Sequence, residues 1–580
     1  MRVLSQQVLI AHSLARRARY AYGMMHPSLI YSFPRRSALA FASSFLLAAC
    51  ATATGPQPLA TAPPAKPKLI VFMVVDGLPQ RQIVDYRDQL APDGLARFLD
   101  RGAWFANAHY GHAFTVTAAG HATMLTGAYP NRTGIIGNDW RDPATGVPVY
   151  NTQDTRYTYI GNKTNAFDGT SPNNLKVETV GDVLKRSDSR SKVIAISGKD
   201  RGSILPAGKT GTAYMYMGQS GEFASTTFYM PQHPAWVNAF NAAKPADRYF
   251  KTSWKPLLPE AAYARSLPDL QPWYAAGGQL PMVLGEGVLP DPNFYRSLLR
   301  SPVVDALTLD FARAAIAGEG LGQDDAPDIL SISLSGHDYV NHAFSAESRL
   351  SHDHLLQLDR QFQDFFRDLD TQVGKDNYLA VLTADHGFTP ASETLKARGL
   401  IAGRQSLTLA LANTNAGLVK RFGEGKWALG FSASTLLFDK KLLAQRGIAQ
   451  NDMAEEARKL LLLEPGIGGV YTRQELDNNS RAGAPFFDQM RNSWSTEVSG
   501  DLQFVVKLNW MIPGNAAATH GSPHEFDTHV PLLVYGPKWI KPGRVDTPVE
   551  IVGLAPTLAQ WLGVARPQAA EGKLLPIPKP

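Results

Sequence analysis

Leu69-Ile70-Val71-Phe72-Met73-Val74-Val75-Asp76-Gly77 is the stretch that decides the fold. Seven consecutive apolar residues leave no face for water. A strand with one wet face would alternate apolar and polar residues. A continuous run of strand length therefore reads as a strand covered on both sides, as in a parallel sheet flanked by helices. The run stops at Asp76-Gly77, a turn signal. Similar segments recur at Lys192–Ile196, Ile329–Leu334, Tyr378–Leu382 and Leu532–Tyr535. Helical patterns lie between some of them. Over Asp353–Asp370, for example, Leu355, Leu356, Phe362, Phe365, Phe366 and Leu369 share one broad face. Strands alternating with helices predict an α/β fold, a doubly wound and mostly parallel sheet with helices on both faces.

Two intervals break the rhythm. Residues from about 203 to 325 are rich in Pro, Tyr and Trp. Residues from about 400 to 510 hold further short strand-like runs, such as Ala428–Leu437 and Leu502–Leu508. Both read as insertions that cap the sheet, within one domain spanning 68–580. Residues 51–67 are rich in Ala, Thr, Pro and Gly and read as a flexible tether.

The net charge of +6 does not signal a nucleic-acid partner. Residues 1–50 carry six Arg and no acidic residue, so the remainder has 51 basic residues against 51 acidic ones. The six arginines belong to an export segment. Arg35-Arg36 precedes the apolar run Ser37–Leu47, and small residues follow at Ala48-Ala49-Cys50. That run is too short to span a bilayer. Leu47-Ala48-Ala49-Cys50 resembles the lipobox of bacterial lipoproteins, in which the Cys becomes the lipidated first residue. This implies export to the periplasmic side, with an outer-membrane lipid anchor at Cys50 as the sole membrane contact. A start at Met24 or Met25 would give the segment ordinary length. Cys50 is the only cysteine, so neither an internal disulfide nor a thiolate zinc site is available.

In open α/β sheets, ligands bind beyond the carboxyl ends of the strands. The chemically loaded residues sit there. Asp76 ends the first run. Asp338 and His342 follow the third, four residues apart and so on one side of a helical turn. Asp385-His386-Gly387 follows the fourth, and His520 shortly precedes the fifth. Each signal alone has a bland reading as a turn or a solvated pair. Together, Asp and His without Cys suit zinc in an open catalytic site. In Thr115-Val116-Thr117-Ala118-Ala119-Gly120-His121, small residues after Thr117 imply a tight entry into a helix. Unpaired backbone N–H groups there would favour a phosphate beside the hydroxyl. Thr117 reads as a nucleophile, with Thr115 as the alternative.

The whole set resembles the alkaline phosphatase superfamily, most closely its threonine-nucleophile bacterial phosphatases, relatives of the nucleotide pyrophosphatase/phosphodiesterases. The resemblance implies two zinc ions. One would be held by Asp76, Thr117, Asp385 and His386. The other would be held by Asp338, His342 and His520, with His524 and His529 as neighbouring alternatives for the last. It implies that Asn138, in Gly137-Asn138-Asp139-Trp140, contacts a phosphoryl oxygen. It further implies that Lys199 and Arg201, in Ser197-Gly198-Lys199-Asp200-Arg201, grip the non-bridging oxygens of a monoester. The implied activity is hydrolysis of small phosphate monoesters through phospho-Thr117. The nearest rival is a phosphodiesterase or nucleotide pyrophosphatase on the same scaffold. A sulfatase lacks support, because its modified Cys or Ser motif is absent. A non-catalytic phosphate- or glycan-binding lipoprotein is the alternative of a different class.

The lipobox reading has a direct test. Labelled palmitate is expected in the wild-type protein and not in Cys50→Ser. Lipid-free protein in the periplasm would refute the anchor.

Overall fold

The computed structural model describes residues 65–579. They lie in one compact unit that begins at Pro63. Cys50, the signal-like segment and most of the expected tether lie outside the described residues. No helix among those described is long and apolar enough to cross a membrane.

The central sheet has nine strands. In chain order they are β1 (Leu69–Val75), β2 (Ala103–Phe105), β3 (Val193–Ser197), β4 (Thr212–Met217), β5 (Glu222–Ala224), β6 (Asp328–Leu334), β7 (Tyr378–Thr383), β8 (Leu532–Tyr535) and β9 (Gly543–Val545). Across the sheet the order is β9-β2-β8-β7-β1-β6-β3-β4-β5. The five adjacent strands β7-β1-β6-β3-β4 run parallel. All seven residues of β1 have zero exposure, as an unbroken apolar run demands of the strand at the centre.

Five helices matter for the site: α1 (Thr117–Thr126), α2 (Asp200–Ala207), α3 (Pro302–Glu319), α4 (Gly336–Phe344) and α5 (Arg349–Leu369). α1 and α2 pack together with the helices Val180–Ser187 and Leu554–Leu562. α3, α4 and α5 pack together with Leu95–Arg101 and Ala235–Ala242. These two groups form the layers that cover the sheet. In α5 the broad apolar face read from the sequence is buried throughout, from Leu355 to Leu369.

The parallel strands end at one edge, so Asp76, Lys199, Asp338 and Asp385 all emerge there. β8 runs antiparallel to β7, with Leu532 opposite Thr383. The chain just before β8, which includes His520, therefore approaches that same edge.

The two irregular intervals differ in kind. Residues 203–325 were expected to cap the sheet as a whole, and they do not. β4 and β5 extend the sheet at its edge, and α3 belongs to a covering layer. Thr212–Met217 is buried from Ala213 onward but lies in an interval rich in Pro, Tyr and Trp, which hides it in the sequence. Residues 400–510 instead build a second, four-stranded antiparallel sheet in the order Ala428–Ser432, Thr435–Phe438, Leu502–Val506, Ile467–Thr472. Its core is its own and includes Trp427, Leu436, Phe438, Met453, Leu461 and Leu502. The run Ala428–Leu437 splits into a hairpin whose turn residues, Ala433 and Ser434, both have positive φ, 47° and 55°.

Close backbone approach sets the position of α1. A Cβ on Gly120 would stand 2.2 Å from the carbonyl oxygen of Asp385. Gly120→Ala is thus expected to cost about 1–3 kcal/mol by overpacking and to lower activity with it. Gly543→Ala, where a Cβ meets open space, serves as the control. Thermal unfolding of both variants, with their turnover rates, checks this. Equal melting temperatures would show that α1 is not held by this contact.

Candidate active site

Three carboxylates and three imidazoles converge beyond the carboxyl end of the parallel strands. Asp76 and Asp385 are fully buried, and Asp338 is 3% exposed. His386 Nε2 lies 3.5 Å from Asp76 Oδ1, 3.6 Å from Asp385 Oδ2 and 4.0 Å from Asp338 Oδ1. On its other side Asp338 Oδ1 meets His342 Nε2 at 3.4 Å and His520 Nε2 at 3.7 Å. Two ligand groups result, Asp76-Asp338-His386 and Asp338-His342-His520, with Asp338 common to both. The rings of His386 and His520 stack at 3.4 Å.

The histidines are oriented by their other nitrogens. Nδ1 of His342 donates to Ala518 O at 3.0 Å, that of His386 to Gly387 O at 2.9 Å, and that of His520 to Thr115 O at 2.8 Å. A carbonyl can only accept, so each Nδ1 carries a proton, and each Nε2 is the nitrogen turned toward the carboxylates. Burial, and then His386, hold His520 well below its ordinary pKa, and burial lowers His342 as well. Both are thus neutral ligands near pH 7. Lone pairs facing carboxylates repel unless a cation lies between them. His386 Nε2, Asp76 Oδ1, Asp338 Oδ1 and Asp385 Oδ2 are buried and lack any hydrogen-bond partner. The donor set and its orphaned atoms fit divalent metal, with the outer carbonyls fixing ring orientation.

The second oxygens of two of these carboxylates face a different cation. Lys199 Nζ lies 2.6 Å from both Asp76 Oδ2 and Asp338 Oδ2, and its side chain is 2% exposed. Burial opposes the charge on Lys199, but Asp338 and Asp76 outweigh it and keep the ammonium protonated. Burial and the nearby Asp385 push the Asp76 carboxyl well above its ordinary range, against the pull of Lys199. Gly77 makes the crowding possible. It has φ 69°, and a Cβ there would stand 3.0 Å from Asp338 Oδ1.

Thr117 is the first residue of α1 and is 1% exposed. Asn138 Oδ1 accepts from Ala118 N–H at 2.9 Å, which leaves the Asn138 amide N–H groups to donate elsewhere. Arg201, in the first turn of α2, donates to Tyr150 OH at 3.2 Å. The Tyr150 hydroxyl in turn donates to Asp200 Oδ1 at 2.6 Å. Arg201 Nε is buried without a partner.

His529, the alternative distal ligand, lies elsewhere. Its ring stacks on His109, and Nε2 faces Ala106 O at 3.0 Å. His524 Nε2 faces Val506 O at 2.9 Å. Thr115 Oγ1 donates to Ser522 O at 3.0 Å. Sequence reasoning assigned no role to His121. Its Nδ1 lies 2.9 Å from Thr117 O and 3.2 Å from Asp385 Oδ2, and its Nε2 lies 2.9 Å from Ser333 Oγ. The available signal was its spacing, one helical turn after Thr117. Tyr150 sends no such signal, because it reaches Arg201 only through the fold.

Comparison with known proteins agrees with this chemistry. Residues 70–529 match the family described as type I phosphodiesterase / nucleotide pyrophosphatase. The chain is 33% identical to the alkaline phosphatase PafA of Elizabethkingia meningoseptica, covering 88% of this chain and 94% of that protein. It is 33% identical to the alkaline phosphatase PhoK of a Sphingomonas species, covering 87% and 89%. The crystal structure of wild-type PafA superposes with a TM-score of 0.83 at 32% identity, over 89% of this chain and 99% of that one. A PafA variant altered at one Thr, one Asn, one Lys and one Arg superposes with a TM-score of 0.82.

Replacing His342, His386 or His520 with Ala is expected to lower the metal bound per chain, whereas His529→Ala is expected to retain it. Elemental analysis of the purified variants decides this. Equal metal loss in His529→Ala and His520→Ala would refute the distal assignment.

Proposed function

Because the chain belongs to the type I phosphodiesterase / nucleotide pyrophosphatase family of the alkaline phosphatase superfamily, we propose that it hydrolyses phosphate monoesters through a phosphothreonine at Thr117. The observation that carries this reading is the basic pair of buried Lys199 and partly buried Arg201. Lys199, between Asp76 and Asp338, and Arg201, with an unpaired Nε, supply cationic charge where the ester phosphate would sit. A monoester carries two charges on its non-bridging oxygens, and a diester carries one. The residue types altered in the PafA variant recur here as Thr117, Asn138, Lys199 and Arg201. The separations also agree: 21 residues between Thr and Asn, and 2 between Lys and Arg.

Two zinc ions are the metals that this donor set suits. Asp76, Asp385, His386 and Thr117 would hold one, and Asp338, His342 and His520 the other. When bound, such ions would lower the pKa of the Thr117 hydroxyl and carry the negative charge of the departing oxygen. Thr117 loses its hydroxyl proton to water, and its Oγ1 attacks phosphorus in line. A P–O bond to Thr117 forms, and the ester P–O bond breaks. The alcohol leaves as an alkoxide that takes a proton from water. Asn138 donates to one equatorial oxygen, while Lys199 and Arg201 balance charge on the others. Water then cleaves the phospho-Thr117 bond, releasing phosphate and restoring the hydroxyl. His121 holds Asp385 and the first turn of α1 in register throughout. Cys50 would anchor the enzyme to the outer membrane on its periplasmic side.

Thr117→Ala removes the atom that forms the phosphoenzyme. It is expected to fold, keep most of its metal and lose on the order of a thousandfold or more in rate. Lys199→Ala and Arg201→Ala keep the nucleophile. Each is expected to lose about 2–4 kcal/mol of transition-state stabilisation on a monoester, roughly 30- to 1,000-fold, and much less on a diester. The check is kcat/KM for both ester types in all three variants. Equal losses on both ester types would favour the diesterase reading that the family name also allows.

A further inference from the structure

We propose that the cavity beside His342 and His520 receives the alcohol portion of the substrate and selects an uncharged aromatic ring there. This assignment rests on the monoesterase reading above and names the substrate class it leaves open. The cavity measures about 290 Å³ and runs from Asn138, His342 and His520 to the second sheet. It thus abuts the ligand group that would face the departing oxygen. An apolar cavity of about 150 Å³ is enough to take benzene, so one ring with substituents fits.

Its walls are aromatic and come from both parts of the fold. Phe114 lines the side nearest α1, and Phe431, Trp510 and Ile512 line the side of the second sheet. These four are only half-buried, unlike the packed core residues beside them. Trp510 is specifically accommodated. A Cβ on Gly403 or on Gly466 would stand 2.6 Å from its ring, so two glycines make room for the indole. The hairpin tip next to Phe431 holds Ala433 and Ser434 at positive φ, a conformation that persists only where surroundings enforce it. Ala433 packs into the cluster that contains Ala118 and Trp140, which ties the tip to α1 and to the segment after Asn138.

Charge excludes the other class of alcohol. Asp527 is the one formally charged side chain in the lining. Both its oxygens are occupied, accepting from Ser522 N at 2.9 Å, Ser522 Oγ at 2.6 Å and Thr389 Oγ1 at 3.0 and 3.2 Å. With no Lys or Arg among the lining residues, further phosphates on the alcohol find no cationic side chain there. A flat uncharged ring stacks on the exposed aromatic faces.

Ethyl phosphate and 2-phenylethyl phosphate test this, since their leaving alkoxides have similar basicity and differ chiefly in the ring. Wild-type enzyme is expected to favour the phenylethyl ester by roughly tenfold or more in kcat/KM. That ratio should collapse toward one in Trp510→Ala and in Phe431→Leu, and Trp510→Phe should restore most of it. The ratio is taken within one preparation, so partial misfolding of a variant cancels. An enzyme that cleaves ethyl phosphate without ring preference, or whose ratio is unchanged in both Trp510→Ala and Phe431→Leu, overturns the pocket alone. An enzyme that cleaves neither monoester overturns the monoesterase reading, and the pocket with it.

Discussion

Three carboxylates, Asp76, Asp338 and Asp385, share a volume from which water is excluded, and one ammonium, Lys199, reaches two of them. The three imidazoles around them donate from Nδ1 to backbone carbonyls and turn Nε2 toward the carboxylates. Buried charge without compensation is among the most costly features a fold can carry. Lys199 offsets only part of that charge, and the Asp76 carboxyl is pushed well above its ordinary range. Much of the surrounding architecture follows from holding these groups together despite their repulsion.

The sheet supplies that restraint. β1, β6 and β7 are adjacent and parallel, so their ends cannot separate without breaking the ladder that buries β1 on both faces. Backbone groups add to it. Gly77 N–H donates to Asp385 Oδ1 at 3.0 Å, and Asn341 Nδ2 donates to Gly77 O at 3.1 Å. The chain after β7 is strapped to the segment before β8 by Gly387 N–H to Asp527 O at 2.7 Å and Phe388 N–H to Phe526 O at 2.8 Å. His386 and His520 are thereby stacked by backbone geometry rather than by affinity for each other. The site is preorganised for cations because the fold bears the cost of their absence.

The parts legible in sequence were those governed by local pattern and chain order. Seven apolar residues before Asp76 can only be a doubly covered strand, and parallel strands oblige their following residues to meet. That reasoning reaches Asp76, Asp338 and Asp385 without coordinates, whereas Lys199 stands out only through the family resemblance. It does not reach the lateral order of strands, because periodicity carries no information about neighbours. β5, three residues long at the edge of the sheet, was hidden for a related reason: an edge strand needs less apolar continuity than a central one. The split of Ala428–Leu437 into a hairpin depends on positive φ at Ala433 and Ser434, residues that do not advertise a turn. Tyr150 reaches Arg201 from 51 residues away in sequence, and Trp510 lines the same cavity as His342 from 168 residues away. Only tertiary contact reveals such residues.

The charge count also connects the metal cradle to the choice of ester. Two divalent cations would stabilise all three carboxylates in their ionised form and leave net positive charge beside the nucleophile. Arg201 adds to it, with Asp200 3.9 Å away. Cationic groups gathered in this way favour the two negative charges of a monoester over the single charge of a diester. Binding of the phosphoryl group is thus fixed by groups on the central sheet, whose mutual repulsion makes each hard to change alone. The alcohol is handled by a different body. The second sheet has its own hydrophobic core and meets the site through the hairpin tip and the Trp510 strand. Substitutions on that surface can alter the shape of the cavity while leaving the carboxylates, imidazoles and Lys199 undisturbed. A scaffold divided in this way keeps its phosphoryl chemistry constant and leaves the ester's alcohol free to vary.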